Sequence, residues 1–164
     1  MHNTALSPHQ ILTGEYLYNE AVALVLSQAQ RELLIFDQDL SLGNFSSMAT
    51  QQILTQFLSQ SPNSQLTIIL QSTLYFSEKC PRIFNLLATF SHKMRVFETN
   101  DHAKHAKDCF ILADGEHYIK RIHIDQARFK YALNNPLSTQ ALNTRFEELL
   151  DATHNQISYS TLGI

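Results

Sequence analysis

The residues best suited to chemistry lie between His102 and Ile124, which reads HAKHAKDCFILADGEHYIKRIHI. This stretch holds four of the chain's eight histidines and four of its twelve lysines and arginines. Two His-x-Lys pairs open it, His102 with Lys104 and His105 with Lys107. On an extended chain, side chains two residues apart share a face. A neutral imidazole in such a pair can attack phosphorus while the neighbouring ammonium neutralises phosphate oxygens. A carboxylate must orient the ring, and Asp108 and Asp114 are the candidates. Metal chemistry is the alternative. On a helix His102 and His105 would share a face and could join Asp101 or Cys109 at zinc. The second pair of ligands that a closed site needs is missing, so no metal is expected. Cys109 opens an apolar run and reads as a small core residue.

Further along, Lys120, Arg121, Arg128 and Lys130 alternate with Tyr118, Phe129 and Tyr131. Such a patch can stack and neutralise single-stranded nucleic acid. The simpler reading is a solvated sheet face with Asp114, Glu116 and Asp125 as counter-charges. Asp37 and Asp39 follow an apolar run at its carboxyl end, where open α/β sheets hold ligands. The simpler reading is that they cap the loop that follows.

The elements that must position these residues follow from periodicity. Residues 1–14 are polar and broken by Pro8 and Gly14, which predicts a flexible arm. A helix over Tyr16 to Gln30 leads into Leu33 to Phe36, a strand buried on both faces. A second helix carries Met48, Ile53, Leu54, Phe57 and Leu58 and stops at Ser61-Pro62. LTIIL, from Leu66 to Leu70, is the next strand; Pro81 opens a third helix, and Met94 to Phe97 a third strand. That is the rhythm of a parallel α/β sheet. It then changes to a hairpin, Cys109 to Ala113 and His117 to Ile124, around the Asp114-Gly115 turn. A strand over Ala127 to Leu133, a helix from Pro136 and an edge strand from Gln156 to Tyr159 complete the chain. With 164 residues, 44% apolar and 16% charged, it is one folded domain. A net charge of −3 excludes a generic polycation, so nucleic-acid binding would need a local patch. Cys80 and Cys109 read as reduced thiols, and no leader or membrane span is evident, so a cytoplasmic protein is expected.

In this order the elements resemble one half of the phospholipase D superfamily of His-x-Lys phosphodiesterases, over about residues 16–151. The carriers are AQRELLIF, the amphipathic helix after it, LTIIL and the Asp-Gly hairpin. NNPLSTQALNTRFEELL then follows, with an Asn-Pro, Ala, Leu and Phe spacing similar to the family's. The family's signature is His-x-Lys, four residues, Asp, and later a Gly before Ser or Thr. This sequence departs from it in each register. Counted from His102 and Lys104 the Asp position is Cys109; from His105 and Lys107 it is Leu112. Matching Asp114-Gly115 puts Lys107 at the His position and Cys109 at the Lys position. Lys120, Arg121 and Ile122 then stand where Gly-Ser would be.

The resemblance implies an α/β domain over residues 15–164, with a mixed, mostly parallel sheet of about six or seven strands and helices on both faces. It implies a non-catalytic module that keeps a positively lined cleft, with His102, Lys104, Lys120, Arg121 and His123 facing the ligand. That ligand is a phosphate-bearing molecule, a nucleic acid or a protein partner. The alternative is an active, metal-independent phosphodiesterase or nuclease. With one candidate hairpin per chain, it requires a homodimer. His105 would be its nucleophile, Lys107 its phosphate clamp and Asp114 its orienting carboxylate. Neither reading calls for a cofactor or for membrane insertion. An interaction protein would instead show an exposed apolar patch.

Overall fold

The apolar run Leu33–Phe36 needs cover on both sides, and it lies mid-sheet with four strands on one flank and three on the other. The computed structural model describes residues 6–100, 103–153 and 155–158. Its elements are β1 (Leu12–Thr13), α1 (Glu15–Gln28), β2 (Glu32–Asp37), α2 (Met48–Ser59), β3 (Gln65–Leu70), α3 (Leu74–Lys79) and α4 (Pro81–Thr89). β4 (Met94–Glu98), β5 (Cys109–Ala113), β6 (His117–His123), β7 (Gln126–Ala132), α5 (Pro136–Ala152) and β8 (Asn155–Ile157) follow. They form one sheet in the order β1-β7-β6-β5-β2-β3-β4-β8.

The rhythm read from the sequence holds for β2, β3 and β4, which pair in parallel through α2 and then α3–α4. Every other pairing is antiparallel. The mixed α/β class stands, with eight strands among the described residues rather than six or seven, and there antiparallel pairings outnumber the two parallel ones. The extra strand is β1. Leu12 and Thr13, in the stretch expected as a loose arm, pair with Phe129 and Arg128. His9 and Gly14 donate their amides to Tyr131 and Ala127 at 2.9 and 2.8 Å. β7 would otherwise be an edge with unpaired carbonyls, and the arm satisfies them. The expected edge strand after Gln156 is β8, and Tyr159 lies outside the described residues.

Helices cover both faces, unequally. On one side α1, α2, α3 and α4 pack Tyr18, Val22, Val25, Leu54, Phe76 and Ile83 against Leu33, Ile35, Ile68 and Ile111. On the other, α5 alone packs Leu142 and Phe146 against Phe36, Ile69, Phe110 and Leu112. Sequence sets the starts of two helices. Ser47 accepts from the Thr50 amide at the head of α2, and Asn135 accepts from the Ser138 amide beside Pro136 at α5. One helix over an eight-strand sheet leaves the β6–β7 end of that face open.

Candidate functional site

The β5–β6 hairpin forms in the Asp114-Gly115 register, with Cys109 opposite Arg121 and Ala113 opposite His117. Asp114 takes the left-handed backbone that a tight turn requires, at φ 57°. Its carboxylate accepts the amides of Gln30, Arg31 and Glu32 at 2.8–2.9 Å, stitching the turn to the start of β2. His105 and Lys107 lie before β5, at the other end of that strand. Five strand residues span about 17 Å. His105 closes a short helical turn, Ala103–His105, held by Gln71 Nε2 on the carbonyls of Ala103 and Ala106. His105 lines a cleft of about 560 Å³ with Asn100, Arg145 and Glu148, whereas Lys107 lines a different one. The structure does not bring His105, Lys107 and Asp114 together.

On the α1 face the hairpin is closed. Arg121, 1% exposed, makes a two-pronged ion pair with Glu15, both contacts at 2.8 Å. It also donates to the carbonyls of His123 and Ile124 and lies over the Tyr18 ring at 4.8 Å. The hydrogen bonds from Arg121 hold the Glu15 carboxyl below its usual range. Beside it, the Tyr18 hydroxyl meets Cys109 Sγ at 3.5 Å, and burial pushes both groups well above their ordinary pKa values. Asp37, at the end of β2, completes the chain of contacts. Burial raises it to about 6, against hydrogen bonds from the Leu40 amide, the Cys109 thiol and the Asp39 amide. Neutral Cys109 and Tyr18 are no nucleophiles. Asp37 and Asp39 take up their own loop amides, Leu40 at 2.7 Å and Ser41 at 2.9 Å, as the simpler sequence reading expected.

The α5 face is the opposite case. Lys120 on β6 stands directly across from Lys130 on β7, on one face of the sheet. Opposed like charges repel unless something between them carries the other sign. Both line an open cavity of about 530 Å³, and Lys107 joins them from the segment ahead of β5. One carboxylate, Asp108, lines it too; its Oδ2 is 3.7 Å from Lys120 Nζ. That carboxylate is already engaged. Arg145 from α5 grips both of its oxygens, the Nη2 contact at 2.9 Å. Burial pushes the Asp108 carboxyl up, but Arg145 and Lys120 together hold it below the usual range. Among the described residues neither Lys107 nor Lys130 makes an ion pair. Counting Arg145, four cations meet one carboxylate. The remaining wall is Ile11, Ile122, Ala141 and Leu142, with Tyr118 and Ser138 at the head of α5.

Residues 15–162 match the model of a family described as a domain of unknown function (DUF7931). The chain belongs to this family. No curated protein is detectably similar to it in sequence. Among solved structures, DUF7931 is similar to Nuc of Salmonella typhimurium, a phospholipase D family member, with a TM-score of 0.65 at 9% identity. That match covers 89% of this chain and 97% of Nuc. The archaeal chromatin protein TrmBL2, whose structure shows a novel mode of DNA binding, also scores 0.65, at 11% identity over 89% of this chain. The chain spans about half of TrmBL2, 53% of its length. NucT from Helicobacter pylori scores 0.54 at 12% identity, covering 89% of this chain and 97% of NucT. At such identities the likeness establishes the fold. It is phospholipase D-like.

Within the DUF7931 domain, the residues expected to line the cleft divide. Lys120 lines it. Arg121 does not: one step along a strand reverses the face, and it is buried against α1. Lys104 pairs with Glu98 at 3.4 Å, and His123 lies 3.8 Å from Asp125 across a turn. His102 lies outside the described residues. Phe129 and Tyr131, the stacking platforms of the nucleic-acid alternative, are neither solvated nor available for stacking: they are core residues of the α1 face. Lys130 was legible as a basic residue, but its place opposite Lys120 depends on a bulge between Arg121 and His123 that no sequence pattern announces. Among the described residues no cluster of three metal-ligating side chains occurs, and no helix is long and apolar enough to cross a membrane.

Proposed function

We propose that this domain is a non-catalytic phospholipase D-like module that binds a phosphate-bearing ligand in the cleft on the α5 face. The observation that carries the reading is the opposed pair Lys120 and Lys130 with Lys107 beside them, while the one nearby carboxylate is held by Arg145. An anion between the lysines would relieve a repulsion already present in the protein. Lys120, expected as a ligand-binding residue, keeps that role, and Lys107 takes it in place of the catalytic one. The DNA binding of TrmBL2 supports an anionic ligand by analogy of fold alone.

The alternative, a dimeric phosphodiesterase built on His105, Lys107 and Asp114, has less support. Asp114 spends its carboxylate on three backbone amides, and Cys109, at the signature's Lys position, faces a buried network. Two measurements test the choice. Pyrophosphate should raise the melting temperature in proportion to its binding, and the rise should vanish in the Lys120→Gln/Lys130→Gln variant. A chromogenic phosphodiester without added metal should not be hydrolysed. Turnover that disappears in His105→Ala would overturn the binding reading, as would a pyrophosphate shift that persists in the double variant.

A further inference from the structure

We propose that the cleft is built for one compact phosphate ester with an apolar or planar body, of the kind and size of a nucleoside monophosphate, rather than for a nucleic-acid strand. The inference rests on the reading that this cleft binds phosphate, and it deepens that reading. Opposed residues on neighbouring strands have Cβ atoms about 5 Å apart, so Lys120 and Lys130 can close on a single phosphoryl group. Lys107 adds a third ammonium to the same cavity, and among the described residues no other lysine or arginine lines it. The charge is concentrated rather than spread.

Beside the lysines the lining is apolar. Ile11 and Ile122 are 55% and 37% exposed, and both line the cavity beside Leu142. A bare phosphate would leave them in water. A ligand carrying a base or another flat body would cover them, a favourable exchange. The volume, about 530 Å³, suits a small molecule held in one place.

A strand of nucleic acid asks for something else. Its affinity comes from many phosphates neutralised along a track, with bases stacked on aromatic faces. Here the lysines are bounded by acidic turns at both ends of β6. The strand ends at His117 and His123, each about 10 Å from Lys120 at 3.3 Å per residue, and Glu116 and Asp125 lie in the turns beyond. Phe129 and Tyr131 are buried on the far side of the sheet. The cleft has a beginning and an end.

The test is titration calorimetry of the full chain with AMP, inorganic phosphate and a single-stranded oligothymidylate, at several salt concentrations. AMP should bind one per chain, about tenfold or more tighter than phosphate. Lys120→Gln/Lys130→Gln should abolish its binding. Ile11→Ser/Ile122→Ser, both at exposed positions, should reduce AMP to the level of phosphate while leaving phosphate unchanged. Equal affinity for AMP and phosphate would overturn the inference, since the apolar wall then contributes nothing. So would an oligothymidylate that binds far tighter than AMP with a steeper salt dependence. In both cases the binding reading stands. If none of the three binds, that reading falls as well.

Discussion

Replacing Asp37 by asparagine should make the protein's stability depend on pH in a different way, with a sign and size that follow from the site. Asp37 is 6% exposed at the end of β2, packed beside Cys109. Burial raises its pKa from an ordinary 3.8 to about 6, despite hydrogen bonds from the Leu40 amide, the Cys109 thiol and the Asp39 amide. The folded protein therefore holds this proton longer than the unfolded chain does. The stability associated with the protonated carboxyl is present in full below about pH 4 and is lost as the pH rises to about 6. A rise of roughly two pH units corresponds to about 3 kcal/mol at 1.36 kcal/mol per unit.

Asparagine has nearly the same shape, keeps an acceptor for the Leu40 amide and carries no charge at any pH. Other carboxyls titrate alike in both proteins and cancel. The stability of Asp37→Asn relative to wild type should thus increase by about 3 kcal/mol between pH 4 and pH 7 and change little above that. Urea unfolding followed by circular dichroism at pH 4, 5, 6 and 7 reads the difference. With an m-value near 2 kcal/mol/M, the midpoints should separate by about 1.5 M across the range. A fixed offset at every pH would reflect packing or a lost thiol contact. If the offset is constant, Asp37 ionises in the fold as it does in the unfolded chain, and the desolvated network described above is wrong.

Two further substitutions test the supports of the hairpin. Glu15→Ala leaves the Arg121 guanidinium buried with the His123 and Ile124 carbonyls and the Tyr18 ring but no counter-charge, and should cost about 3 kcal/mol. Arg121→Met in that background should recover part of the loss; a denaturation cycle in which Glu15→Ala is neutral would show that the pair does not hold α1 to β6. Asp114→Ala removes the acceptor of three amides and places alanine at φ 57°, a cost of about 2–3 kcal/mol. Asp114→Asn, which tolerates that backbone and keeps an acceptor, should cost clearly less. Equal losses in the two would leave the carboxylate without a role at the start of β2.

The fold was legible because its signals are local. Leu33–Phe36 is an unbroken apolar run, Leu66–Leu70 is interrupted only by Thr67 and is rich in β-branched residues, Pro81 and Pro136 open helices, and Asp114-Gly115 is a strong turn signal. β1 was not legible, since two residues of an arm acquire a strand geometry only through an edge that happens to need a partner. α3 is six residues long and too short to show a period. The site was half legible. The sequence drew attention to the hairpin and to Lys120 as one of the residues facing a ligand. It could not say which residue of β7 stands opposite, because that register is shifted by a bulge. Nor could it reveal that Asp114, chosen for its chemistry, is fully occupied by the backbone.

Lys120 and Arg121 condense the difference between charge and function. They are neighbours in the chain, alike in sign, and both were assigned to the ligand. Strand geometry sends them to opposite faces of the sheet. On the α1 side the guanidinium meets Glu15 from the first turn of a helix, and the charge is spent inside the protein. On the α5 side the ammonium meets another lysine, and the only carboxylate within reach among the described residues is taken up by Arg145. A cation that the fold has satisfied stabilises structure. One that the fold has left opposed to its like is poised for an anion from outside. That distinction, rather than any count of basic residues, places the candidate site of this domain on the face away from its four-helix layer.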